Sequence, residues 1–204
     1  MPVRHERQSE NRSSLASLDR PAGPVGSIVS PARQTSTPMN ERLKSSTTSE
    51  GTCLCGDLRY CVRGAPVLRV ICYCNFCQRA TGSSHLDEPF WKAGQFEMIK
   101  GEPSTFDAAS RGSGKRITIS FCARCGTKLF QTFARFPGLV AVYGGTLNQP
   151  GLAAQAPQTW RLFLDEAPAG TVIPAGVDVW PQHRLDAEGN ARKAIVFSEL
   201  HVTP

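Results

Sequence analysis

The chain has 204 residues, 40% hydrophobic and 20% charged, with 18 glycines and 15 prolines, which bounds it to one ordinary globular domain rich in turns and poor in long helices. Its net charge of +6 is modest and scattered, so no basic arm of the kind that grips phosphates is present and nucleic acid is not an expected partner. No apolar run approaches the roughly 20 residues of a membrane span and the start lacks the apolar stretch of a secretory signal, so a cytoplasmic location with no membrane partner is expected.

From Met1 to about residue 48 the sequence is rich in Ser, Pro, Arg, Gln and Thr and has no aromatics. It cannot bury enough apolar area to offset its ordering entropy, so residues 1–48 read as a disordered polar tail and 49–204 as the folded domain. Met39 opens a short polar lead into the first cysteines and is an alternative start of translation. Leu58, Tyr60 and Val62 alternate with Arg59, Cys61 and Arg63, the period of a half-buried strand. Similar runs predict strands at 67–71, 96–99, 116–121, 128–133 and 139–143, with 159–164 and 194–197 after a stretch broken by Gly and Pro. No segment has the pattern of a long amphipathic helix.

Eight cysteines in a reducing compartment point to metal ligands or free thiols rather than disulfides. Seven fall into tight motifs: Cys53-x-Cys55-Gly56, Cys72-x-Cys74-x-x-Cys77 and Cys122-x-x-Cys125-Gly126. Thiolates two or three residues apart on one turn chelate zinc with little further loss of chain freedom, and the glycine after the pair admits positive φ. Cys61 stands alone within a predicted strand, so seven clustered thiols divide naturally as four plus three. Four thiolates make a closed, structural site; three leave a position open. An iron–sulfur centre would rest on the cysteine count alone.

The ordered motifs "GTCLCGDLRY", "CYCNFCQRATGSS", "FCARCGTKLF" and "VYGGTLNQP" resemble the glutathione-dependent formaldehyde-activating enzyme family, which includes centromere protein V, over roughly 51–184. The resemblance implies a mainly β fold, a zinc-braced β-tent of small antiparallel sheets with short helical turns. It assigns Cys53, Cys55, Cys122 and Cys125 to a structural zinc, and Cys72, Cys74 and Cys77 to a second zinc whose fourth position is open to water or a substrate thiol. Two departures stand out. Tyr73 and the stretch Gln158-Thr159-Trp160 replace motifs in which the family often carries histidine.

Three thiolates leave zinc a weak Lewis acid but a good captor of a thiol, so the matching chemistry is making or breaking a carbon–sulfur bond. The expected activity is therefore that of a carbon–sulfur lyase, or of an enzyme joining glutathione to formaldehyde or a related small aldehyde. His85 and Glu88 are the candidate proton carriers, Tyr73 a candidate substrate contact, and Arg79 a candidate partner for a glutathione carboxylate. The competing reading is a non-catalytic, zinc-stabilised protein-binding module whose second site is closed, with Cys61 as the fourth ligand. The sequence carries no signal of oligomeric state.

Overall fold

The computed structural model describes residues 48–111 and 113–204. The predicted tail, with the alternative start at Met39, lies outside the described residues except for Thr48. In chain order the first elements are β1 (Thr48–Thr52), β2 (Arg59–Arg63), β3 (Leu68–Cys72), helix α1 (Asn75–Thr81) and β4 (Leu86–Lys92). There follow β5 (Phe96–Lys100), β6 (Ser104–Ala109), β7 (Arg116–Phe121), β8 (Lys128–Phe133), β9 (Leu139–Val142) and β10 (Thr159–Leu162). Four short strands close the chain: β11 (Val172–Ile173), β12 (Asp178–Trp180), β13 (Ile195–Val196) and β14 (His201–Val202).

The protein is mainly β. One sheet has the order β1-β2-β5, a second β13-β12-β10-β3-β4-β9-β8-β7-β6, and a third pairs β11 with β14. The nine-stranded sheet is larger than the small sheets expected, and it is mixed: β10 runs parallel to both β3 and β12, while its other pairs are antiparallel. Every strand predicted from periodicity is present, with ends shifted by no more than two residues.

β1, β4, β6 and the short β11, β12 and β14 had no such signal. β4, "LDEPFWK", is buried on both faces from Glu88 to Trp91, so alternation disappears, as it does in any strand covered on both sides.

Two cores flank the large sheet. Val70, Phe90 and Ile119 belong to one, on the face that also carries Cys72. Tyr60 and Val62 of β2 join Trp91 and Val142 in the other, bringing the three-stranded sheet against the opposite face. Gly51 is required there: a Cβ on it would fall 2.1 Å from Tyr60 Cζ, and the Tyr60 hydroxyl lies 2.8 Å from Thr146 Oγ1. No helix among the described residues is long and apolar enough to cross a membrane.

Candidate functional site

The first thiol group is assembled from two turns about seventy residues apart. Cys53, Cys55, Cys122 and Cys125 bring their sulfurs within 4.8 Å of one another, with Cys53 and Cys55 Sγ 3.5 Å apart and Cys55 and Cys122 Sγ 3.6 Å apart. In each turn the glycine after the second cysteine takes positive φ, 74° at Gly56 and 73° at Gly126. Its N–H returns to the carbonyl of the first cysteine, at 3.0 Å for Cys53 and 2.8 Å for Cys122.

The turns are also tied directly. Arg124 bonds Asp57 at 3.0 Å, and the Leu54 amide donates to Thr127 Oγ1 at 3.1 Å. Thr127 and its backbone hold the Cys125 thiol down to about 5. Four soft donors converging in this way fit zinc.

The second group, Cys72, Cys74 and Cys77, sits at the junction of β3 and α1 with all three thiols buried and within 4.8 Å of one another. Cys74 is the N-cap of α1: its sulfur accepts the Cys77 amide at 3.4 Å. The C-cap, Gly82, takes the left-handed conformation at φ 68° and returns its amide to Gln78 O, the stop signal that glycine supplies most easily.

Hydrogen bonds from the Cys72 and Cys77 thiols, helped by the backbone amides of Cys77 and Phe76, pull the Cys74 thiol down to about 3. Cys72 and Cys77 are pushed up in return. The donor set is again soft and fits zinc. No fourth His, Cys, Asp or Glu among the described residues joins this group, and Cys61 belongs to neither group.

The three thiols open onto a cavity of about 330 Å³. Glu88 lines it and is only 6% exposed. Its carboxylate accepts a 2.6 Å hydrogen bond from Gln131 Nε2, and the Tyr143 hydroxyl reaches Gln131 Oε1 at 3.5 Å. Burial pushes the Glu88 carboxyl up to about 8, against the Gln131 bond that lowers it and with the Cys74 charge raising it further.

The other candidates separate from this cavity by strand alternation. Glu88 and Phe90 face it; Asp87, one residue over, turns away and pairs with Arg69 at 2.8 Å. His85 has the same parity as Asp87 and lies beside it in a different recess, its ring 2.9 Å from Ser84 Oγ. Tyr73 is likewise on the wrong side of β3: its ring packs with Ile173 and Val179. His85, the other candidate proton carrier, and Tyr73, the candidate substrate contact, are thus not among the residues that line the thiol cavity.

Arg79 is on α1 and faces an adjoining recess with Arg111 and Lys128; that recess shares Phe76 and Arg111 with the thiol cavity. The sequence reading missed Gln131, Tyr143 and His183, all brought to this region from strands or turns far along the chain. His183 lines the thiol cavity, with Nδ1 accepting the Leu185 amide at 3.0 Å. No local motif marks them.

The chain is mainly β and carries two convergent thiol groups that could each hold a metal ion, one of four cysteines and one of three beside a buried carboxyl. The sequence profile of the glutathione-dependent formaldehyde-activating enzyme family matches residues 48–165, more than half of the chain, and the chain belongs to that family. The match ends short of the 184 expected from motifs. A solved structure of a Rhodobacter sphaeroides protein is similar at 19% identity, covering 48% of this chain and 87% of that one with a TM-score of 0.38. None of the curated proteins matches the chain.

Proposed function

We propose that the chain is a carbon–sulfur lyase that forms or cleaves the adduct between a small thiol, glutathione, and an aldehyde. The family match supports glutathione-dependent formaldehyde activation at the level of the family. The observation that carries the reading for this chain is the convergence of three buried thiols and a buried carboxyl, Glu88, in one cavity.

Zinc held by Cys72, Cys74 and Cys77 would supply a soft site that keeps an incoming thiol deprotonated at neutral pH. The side chains do the rest. Glu88, with its carboxyl raised to about 8, is protonated near neutrality and suited to act as general acid. As the sulfur–carbon bond forms, the carbonyl π pair moves to oxygen, which takes the Glu88 proton. The proton released by the substrate thiol restores Glu88, and the reverse sequence cleaves the adduct.

Gln131 fixes the carboxyl, acting as a positioning residue. Arg79, with Arg111 and Lys128 in the adjoining recess, offers guanidinium and ammonium partners for the glutathione carboxylates. A second zinc, on Cys53, Cys55, Cys122 and Cys125, braces the domain. That domain spans 49–204, with 1–48 as a separate tail.

The binding-module reading expects a closed second site, with Cys61 as the candidate fourth ligand; that no fourth His, Cys, Asp or Glu among the described residues joins Cys72, Cys74 and Cys77 favours the enzyme. The test is the visible absorption of the cobalt-substituted protein titrated with glutathione. The d–d and thiolate bands shift as a further sulfur arrives; a spectrum indifferent to millimolar glutathione would overturn the proposal in favour of the module.

A further inference from the structure

The cavity beside the three thiols is far larger and more apolar than a one-carbon aldehyde needs. Its floor is one face of the nine-stranded sheet, where alternation sets Leu68, Val70 and Cys72 of β3 in a row. At about 3.3 Å per residue that row extends about 13 Å.

Register carries the same polarity across the neighbouring strands. Val70 stands opposite Glu88, and Leu68 opposite Phe90; on the other side, Leu162 is beside Cys72 and Trp160 beside Val70. The thiols and Glu88 thus occupy one end of a trough whose far end is Leu68, Phe90, Phe133 and Leu139. An apolar cavity of about 150 Å³ accepts a benzene ring, so about 330 Å³ has room for a two-ring group.

The charge on the walls has one sign. Lys115, Arg116, Arg135 and Arg184 line the cavity, whereas Glu88 is the single acidic side chain among the described lining residues. The Arg184 guanidinium lies over the Trp160 ring at 4.4 Å, a contact that fixes its direction while leaving N–H groups to meet an anion. The wall carrying Arg184 and Leu185 lies beyond the residues matched by the family profile.

Resting on the enzyme reading above, we infer that the carbonyl substrate is an apolar aldehyde, aromatic or of equivalent bulk, with a carboxylate at the end remote from the carbonyl. The aldehyde carbon meets sulfur at the thiol end, the apolar body lies along β3, and the carboxylate reaches the cationic wall. Glutathione enters from the Arg79 recess. The reaction is addition: one S–C bond forms, the carbonyl π bond breaks, and one proton passes to oxygen with no change of oxidation state.

The experiment compares kcat/KM of the zinc-loaded full chain with glutathione and three aldehydes: formaldehyde, 2-naphthaldehyde and 6-formyl-2-naphthoate. The expected order rises from formaldehyde by at least tenfold to the naphthaldehyde, and by a further several-fold to the carboxylate. Leu68→Trp lowers the naphthaldehyde-to-formaldehyde ratio at least tenfold, and Arg184→Gln removes the preference for the carboxylate.

An arm independent of turnover uses titration calorimetry with inert 2-naphthoate, which binds the unaltered chain saturably and at least tenfold more weakly in Leu68→Trp. Formaldehyde turnover equal to or above the naphthaldehydes, with no heat from 2-naphthoate, overturns the inference and leaves the enzyme reading standing. Failure to turn over any aldehyde sinks the enzyme reading instead; Leu68-dependent naphthoate binding would then still support the ligand class of the trough.

Discussion

Gln131 Nε2 lies 2.6 Å from Glu88 Oε2, and through that bond a carboxyl from β4 is held by an amide from β8 inside the cavity of the three thiols. Burial raises the Glu88 carboxyl to about 8 and the Gln131 bond opposes the rise. Glu88→Gln keeps the volume and the neutral form but removes the transferable proton, so kcat/KM falls by roughly 10²–10⁴. On the proposed reaction, adduct formation by the unaltered chain declines as pH climbs through the Glu88 value, because the acid form is lost. Gln131→Leu removes the bond that favours ionisation and moves that limb to higher pH. A pH–rate profile identical in Gln131→Leu and the parent chain would contradict the coupling.

The two thiol groups differ in what they hold together. Cys125→Ala opens a site that pins turns about seventy residues apart, and because structural metal binding is coupled to folding, the domain loses its cooperative unfolding transition. Cys74→Ala removes one metal equivalent and turnover while leaving that transition in place. Native mass spectrometry counts the metals and circular dichroism follows the fold; equal collapse in both variants would refute the division.

Gly51 has no space for a side chain under the Tyr60 ring. Gly51→Ala forces the ring or β1 to move, a form of overpacking that costs about 1–3 kcal/mol. At roughly 2–4 °C per kcal/mol for a domain of this size, Tm falls by several degrees. Gly56→Ala, where φ is 74° but nothing lies within 4 Å of the added Cβ, tests backbone strain without crowding.

His183 gives a pH dependence of known sign. Burial lowers its pKa below the ordinary value, helped by the Arg135, Arg192 and Arg184 charges and opposed by the Leu185 carbonyl, which lies 3.2 Å from Nδ1 and favours a proton there. The unfolded chain therefore takes up the proton first as pH falls below about 6.5. Stability is lost across the window from there down to the folded value and is fully present above it. His183→Gln flattens this part of the curve. Urea unfolding at pH 7.5 and 5.5 measures it, and an unchanged difference between the two pH values in the variant would rule the assignment out.

Local chemistry made much of this protein legible in its sequence. Thiols two or three residues apart with a following glycine can only lie on tight turns, and period-two runs such as Arg116–Phe121 and Lys128–Phe133 form strands wherever one face is covered and the other is not. β4 escaped that reading because Leu86, Glu88, Pro89, Phe90 and Trp91 are buried together, and burial on both faces is a property of the neighbours rather than of the segment. Which of His85 and Glu88, three residues apart, faces the thiol cavity was equally closed to composition or motif. It depends on which parity of β4 lies beside Cys72, and that parity is set by pairing with β3.

The sequence by itself determined that the chain is mainly β and carries seven cysteines in chelating motifs, since those properties depend on spacing along the backbone. Only the tertiary structure decided that Glu88, Gln131 and His183 share a cavity with the second thiol group while Tyr73 and His85 do not. Contacts between residues far apart in the chain arise from sheet order and register, which are fixed by the packing of the whole domain.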